Sequence, residues 1–169
     1  HASHRYADLI GLPACSTPQL LIRLHRTLST STGGNSNGSN ATKRPTPPQS
    51  EKDVGTGLGS DYRPQVSYKD AQEVPYATKG SVRPDWCNTT SCSVEVKNYN
   101  IANNSSGLIK NVADQAIQRQ EHLPAGMEQQ VVIDVRGQAV TAQQEDMIVK
   151  GIVSRSNGII KPDAIEFRR

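Results

Sequence analysis

Residues 81–98 read SVRPDWCNTTSCSVEVKN, and this stretch decides the fold. Its second half, CSVEVK, alternates polar with apolar residues, which is typical of a half-buried strand over Cys92–Lys97. Ser81–Trp86 is a second, shorter strand candidate. The residues between the two runs favour a turn, so we expect the strands to form a hairpin.

The hairpin brings together side chains with a capacity for chemistry. Residues two apart in a strand share a face, so Glu95 and Lys97 point to the same side, and closure of the hairpin brings Asp85 beside them. Two carboxylates in one pocket repel each other unless a cation lies between them. Oxygen ligands at that density suit Mg²⁺ or Mn²⁺. We therefore predict a metal site in which the ammonium positions a water or offsets charge on a phosphate.

Helix and strand signals alternate after the hairpin. An apolar stripe at three- and four-residue spacing predicts a helix over Ser106–His122. The run QVVIDV predicts an inner strand over Gln130–Val135, and Thr141–Ser156 reads as a second amphipathic helix capped by its first residue. Ile159–Phe167, with a proline inside it, is the last strand candidate. This order predicts an α/β sandwich with a mixed central sheet flanked by helices.

The N-terminal part of the chain differs in composition. Residues 1–28 contain a short apolar helical pattern, which we assign to a helical segment of a parent protein. Residues 29–65 consist largely of Ser, Thr, Gly, Asn and Pro, and cannot bury enough surface to offset the entropy of ordering. We predict a flexible linker there and a folded domain over 66–169. Because the chain starts with His1, we expect it to be a piece of a longer polypeptide.

Charge and cysteine content exclude few functions. The net charge of +3 permits a polyanionic substrate without requiring one. No apolar run approaches the roughly 20 residues that cross a bilayer, so we predict no membrane-spanning segment. Three cysteines argue against a disulfide-stapled scaffold. Cys87 and Cys92 flank the hairpin turn, and a disulfide between them and two reduced thiols both remain open.

Pro84-Asp85 followed by Glu95-x-Lys97 resembles the PD-(D/E)xK motif of restriction-endonuclease-like nucleases. The resemblance implies the restriction-endonuclease-like sandwich fold. It also implies that Asp85 and Glu95 hold a divalent metal ion, Mg²⁺ or Mn²⁺, and that Lys97 assists the attacking water. The family commonly has an acidic residue on a helix before the motif. The resemblance assigns this third metal ligand to Glu73, with Asp70 as the competing candidate.

Substrate contacts are also implied by the resemblance. In several branches of the family a polar residue on the helix after the motif contacts the substrate. Gln115 and Arg119, four residues apart on one predicted helix face, are the candidates for this contact. Arg83, beside the motif, is a candidate for a phosphate contact.

The layout of residues 66–169 is similar to C-terminal nuclease toxins of bacterial polymorphic toxin systems, of the contact-dependent-inhibition or Rhs type. This similarity implies delivery as part of a larger secreted or surface protein, action in the cytoplasm of a target bacterium, and neutralisation by a cognate immunity protein. We expect DNA as the substrate because many proteins of this fold cut DNA, with tRNA as the alternative. A non-enzymatic protein-binding module, whose motif residues are ordinary surface, is the competing class.

Overall fold

The computed structural model describes Cys15, residues 43–88 and residues 91–169. The helices and strands of this part, in chain order, are α1 (Pro47–Thr56), β1 (Arg63–Pro64), β2 (Ser67–Lys69), β3 (Gln72–Val74), β4 (Trp86–Cys87), β5 (Cys92–Lys97), α2 (Ile101–His122), β6 (Glu128–Asp134), α3 (Ala142–Arg155) and β7 (Ile165–Arg168). A 3₁₀ turn over Pro162–Ala164 precedes β7. The predicted α/β class is confirmed.

The main sheet has five strands in the order β1-β4-β5-β6-β7. β4 and β5 are antiparallel, with Trp86 opposite Val94, so the predicted hairpin is confirmed, but its first strand covers Trp86–Cys87 and not the predicted Ser81–Trp86. β5, β6 and β7 are parallel to one another. The sheet is therefore mixed, as predicted, while β2 and β3 form a separate antiparallel pair.

Helices cover both faces of the main sheet. On one face, Val94 and Val96 of β5 belong to an apolar cluster with Val54 of α1. On the other face, residues of α2 and α3 such as Leu108 and Ile148 pack with side chains of β6 and β7. The alternation of side chains along each strand divides the core into these two layers.

Capping residues set the helix boundaries. α2 begins at Ile101, earlier than predicted, because the Asn100 side chain accepts a hydrogen bond from the backbone N–H of Asn103 at 3.2 Å. Thr141 caps α3 in a reciprocal capping box with Gln144, which confirms the predicted start. α2 contains 22 residues, yet neither it nor another helix in the described part of the chain is long and apolar enough to cross a bilayer.

The linker predicted over 29–65 is wrong for residues 43–65, because α1 lies there. The side chain of Thr46 accepts a hydrogen bond from the backbone N–H of Gln49, and prolines occupy the first helical positions. Val54 is only 4% exposed against the sheet. Residues 29–42 lie outside the described residues, as does the helix predicted over 1–28 apart from Cys15. The folded domain therefore begins before residue 66.

The cysteine pairing differs from both alternatives that the sequence left open. Cys92 forms a disulfide with Cys15, with a Cα–Cα distance of 5.4 Å. Cys87 is free and buried. A bridge between Cys87 and Cys92 is therefore excluded in this structure.

Gly55 allows α1 to lie directly on Trp86. A Cβ atom at Gly55 would overlap the indole ring. We expect Gly55→Ala to lower the free energy of unfolding by about 1–2 kcal/mol, because overpacking outweighs the roughly 1 kcal/mol gain in helix propensity. Thermal unfolding followed by circular dichroism measures this. Gly57→Ala is the matched control, since a Cβ there meets only ordinary contacts. Equal melting temperatures for the two variants would contradict the packing.

Candidate active site

The hairpin opens at the motif. β4 pairs with only the first part of β5, where Cys87 lies opposite Ser93 and Trp86 opposite Val94. Beyond this point Asp85 takes the place of a pairing strand, because its Oδ2 accepts a hydrogen bond from the backbone N–H of Val96 at 2.8 Å. The Asp85 carboxylate is thereby held at the edge of β5.

Glu95 and Lys97 lie on one face of β5, as their spacing predicts. Lys97 Nζ is 2.9 Å from Glu95 Oε1, and the two side chains are 12% and 10% exposed. An ion pair this deeply buried is weakly screened by solvent, so each charge strongly affects its neighbours.

α2 contributes two further polar side chains to this pair. Gln115 Oε1 accepts a hydrogen bond from Lys97 Nζ at 2.8 Å. Arg119 Nη2 lies 2.7 Å from Glu95 Oε2. The two residues that the resemblance assigned to substrate binding therefore contact the motif itself. Glu95 lies between an ammonium and a guanidinium, and Lys97 lies between a carboxylate and an amide.

Glu51 of α1 joins the cluster from the opposite layer. Gln65 Nε2 donates to both Glu51 Oε2 and Asp85 Oδ1, at 3.4 Å in each case. Trp86 Nε1 donates to the backbone oxygen of Glu51 at 2.9 Å, which ties α1 to the motif strand. Glu51, and not Glu73, is thus the helical acid beside the motif.

Asp85 and Glu51 are less stable in their charged forms than solvated carboxylates are, which raises their pKa values. Burial, and then the negative charge of Glu95, raise the pKa of Asp85 to about 6. Burial and the charge of Glu95 also raise the pKa of Glu51 above its ordinary value. Negative charges gathered in this way repel one another, and burial weakens the screening between them.

A buried ion network holds α1 in place. Arg136 Nη2 lies 2.6 Å from Asp134 Oδ2 at the end of β6 and 2.9 Å from Asp53 Oδ2 on α1. Arg136 thereby joins the end of β6 to α1. The network fixes the turn of α1 that carries Glu51.

Three predicted site residues lie apart from the motif pair. Glu73 is on β3, exposed, and paired with Arg63 at 2.9 Å, so it is not on a helix as the resemblance implies, and its role as the third metal ligand stays a prediction. Asp70 is exposed, 3.5 Å from His122 Nδ1. Arg83 lies over the ring of Tyr76, 4.7 Å from its centroid, and its charge acts on Glu51 at the border of the cluster.

The chemistry of these donors fits a hard divalent cation. Their present arrangement is not a finished metal site: within residues 43–88 and 91–169, no three His, Cys, Asp or Glu side chains are grouped to hold an ion. The reason is that Glu95 is turned toward Lys97 and Arg119. Glu95 Oε2 is buried and lacks hydrogen-bond geometry to any described group, although Arg119 is close to it. Carboxylate oxygens of this kind are the ligands that Mg²⁺ and Mn²⁺ prefer.

A local signal for Glu51 was present in the sequence. Residues 46–51, TPPQSE, contain a capping threonine and two prolines at the first helical positions, which is a helix start. The polar composition on either side of it masked this signal. The chain matches no protein-family model, no curated protein sequence and no solved structure, so its function has to be inferred from this cluster.

Proposed function

We propose that this chain is a metal-dependent endonuclease toxin that hydrolyses phosphodiester bonds in the DNA of target bacteria. The observation that supports it is the cluster at the open end of the hairpin. There, Asp85, Glu95 and Lys97 meet Gln115 of α2 and Glu51 of α1. Ordinary strand-surface residues would be solvated, whereas the charged groups of Glu95 and Lys97 are about nine-tenths buried.

Asp85, Glu95 and Glu51 would hold the metal ion in this proposal. The ion supplies charge stabilisation at the phosphate and lowers the pKa of a bound water. The protein's part is to place the carboxylates: the N–H of Val96 orients Asp85, and Trp86 fixes the backbone of Glu51.

Lys97 is proposed as the group that acts on the reacting phosphate or water. Its ammonium is held by Glu95 and Gln115 at 2.9 and 2.8 Å, so it is oriented before substrate arrives. A preorganised cation in a buried cluster stabilises negative charge that develops on a phosphate more strongly than one in water does. In this proposal Gln115 is a positioning residue for Lys97.

The proposal includes a partner and a place of action. A nuclease that kills target cells endangers its producer, so we propose a cognate immunity protein, delivery within a larger secreted or surface protein, and action in the target cytoplasm. Arg83, Lys97 and Arg119 surround the acidic centre with positive charge, which favours phosphate contacts but carries no sequence information.

Incubating the whole chain with plasmid DNA and, in parallel, with purified tRNA tests the proposal. We expect plasmid cleavage in Mg²⁺ that stops in EDTA, with Lys97→Ala as the control for contaminating nucleases. The whole chain is required, because a fragment starting at residue 66 lacks α1 and Glu51. Cleavage of tRNA alone would replace DNA as the substrate. A folded chain that cuts neither would favour the non-enzymatic binding module.

A further inference from the structure

The ion pair between Arg119 and Glu95 has a use that the catalytic roles leave unexplained. Arg119 Nη2 lies 2.7 Å from Glu95 Oε2, and both side chains are about one-tenth exposed, at 11% and 10%. Lys97 already neutralises the other oxygen of the same carboxylate. One buried carboxylate therefore has two cationic partners, while the carboxylates of Asp85 and Glu51 lie close enough to it for their charges to interact with it.

This distribution of charge indicates that the counterion at one oxygen of Glu95, Oε2, can be exchanged. Oε2 is buried and makes no hydrogen bond of acceptable geometry within the described residues, so Arg119 contributes charge there without a directed bond. A buried charge needs a counterion, but it does not need that particular one. A divalent ion bound between Glu95 and Asp85 would supply the same charge compensation and would relieve the repulsion between the acids.

We propose that Arg119 is a built-in competitor for the metal ion: it occupies Glu95 in the metal-free protein and is released when a divalent cation binds. The proposal rests on the proposed function, because it takes Glu95 as a metal ligand. The released guanidinium stays on α2 beside the pocket, where it is free to pair with a substrate phosphate. Arg119 thereby links metal binding to the positioning of substrate.

Metal affinity measured without nucleic acid gives the test. Mn²⁺ alone is titrated into the whole chain by calorimetry at pH 8, with wild type, Arg119→Gln and Arg119→Lys. An opposite charge near a carboxylate changes its proton affinity by about 10- to 1000-fold, and we take the lower end for a metal ion. Arg119→Gln is therefore expected to bind Mn²⁺ about tenfold more tightly than wild type, and Arg119→Lys to bind as wild type does.

Thermal unfolding adds a readout that a purely structural role would not move. Without metal, Arg119→Gln leaves Glu95 with one counterion and is expected to melt below wild type. Saturating Mn²⁺ is expected to raise its melting temperature by more than that of wild type, since tighter binding stabilises more. Arg155→Gln is the matched control, because Arg155 is a helical arginine paired only at the surface, with Asp114.

A measurement on wild type covers the case in which Arg119→Gln does not fold. The side-chain Nε resonance of Arg119 is followed by ¹⁵N NMR as Mg²⁺ is added, and it is expected to shift on saturation. The fluorescence of Trp86, the sole tryptophan, reports metal binding independently, because the indole Nε1 donates to the backbone oxygen of Glu51.

The outcomes separate this inference from the proposed function. Equal or weaker Mn²⁺ binding by Arg119→Gln, or an unchanged Arg119 resonance at saturating Mg²⁺, overturns the competition while metal-dependent cleavage still stands. If neither wild type nor Arg119→Gln binds Mn²⁺ but the chain still cleaves in Mg²⁺, the proposed competition is overturned and the proposed function is not. If neither protein binds Mn²⁺ and neither DNA nor tRNA is cleaved, both the proposed competition and the proposed function are overturned.

Discussion

Asp85→Asn is expected to reduce phosphodiester cleavage by about 10³-fold and, at the same time, to stabilise the metal-free protein. The loss corresponds to about 4 kcal/mol of transition-state stabilisation, which is the upper range for removing one charged group from a preorganised site. Folding is expected to survive, because the asparagine oxygen can still accept the N–H of Val96 that Asp85 accepts at 2.8 Å.

The gain in stability follows from the pKa of Asp85. Burial and the charge of Glu95 raise this pKa from 3.8 to about 6. Between these two pH values the folded state binds a proton that the unfolded state does not, so the free energy of unfolding falls as pH rises through that window. Above it the ionised carboxylate destabilises the fold by about 2–3 kcal/mol. Asp85→Asn is therefore expected to raise the free energy of unfolding at neutral pH and to leave it unchanged below about pH 4.

Urea unfolding at several pH values in EDTA, together with the cleavage assay, measures both effects. Asp146→Asn is the matched control, because Asp146 is exposed on α3 and its ion pair with Lys150 lies at the surface, where such a pair adds little stability. It should leave activity and stability unchanged. Wild-type cleavage by Asp85→Asn would remove Asp85 from the catalytic centre, and equal stability of Asp85→Asn and wild type at pH 8 would contradict its burial among like charges.

Glu51→Gln is expected to lower cleavage about 10- to 100-fold and to raise the Mg²⁺ concentration needed for half-maximal activity, as the loss of a carboxylate at a metal site does. Glu73→Gln is expected to change neither. The reason is position: Glu51 shares Gln65 with Asp85, while Glu73 forms an exposed ion pair with Arg63.

These two variants form a matched pair, since each replaces one glutamate by glutamine on an element that precedes the motif. Cleavage rates measured across a Mg²⁺ series decide between them. If Glu73→Gln alone lost activity, the acid assigned from the resemblance would be the correct one, and α1 would have no part in catalysis. If both variants kept wild-type rates, the centre would consist of the motif residues alone.

Local patterns predicted most of the sheet and the motif pair. The alternation in CSVEVK predicts β5 and places Glu95 and Lys97 on one face, and the structure brings their charges to 2.9 Å. The turn residues between the strands predict the hairpin, which β4 and β5 form. These features depend on the two-residue repeat of a strand and on chain reversal over a few residues, and neither requires knowledge of the rest of the fold.

Other features could be predicted only in part. The α2 face that carries Gln115 and Arg119 follows from helical spacing, but the sequence does not say that Arg119 faces Glu95. The start of α2 at Ile101 was missed because the polar run Asn103–Ser106 separates Ile101 from the apolar stripe that begins at Leu108, and because the helix is kinked at Asn104. Pairing of Cys92 with Cys15, 77 residues away, has no local signal at all.

Local sequence patterns were enough to predict a mixed sheet, the hairpin and a strand face with a carboxylate beside an ammonium. Only the tertiary structure decided which acid completes the cluster. Residues 47–56, PPQSEKDVGT, have too few apolar positions to predict a buried helix. They dock because Val54 packs on the sheet face at Val94 and Val96, because Gly55 leaves room for the Trp86 ring, and because Arg136 pairs with Asp53. A contact of this kind depends on the surface that receives it, so no pattern within the segment can reveal it.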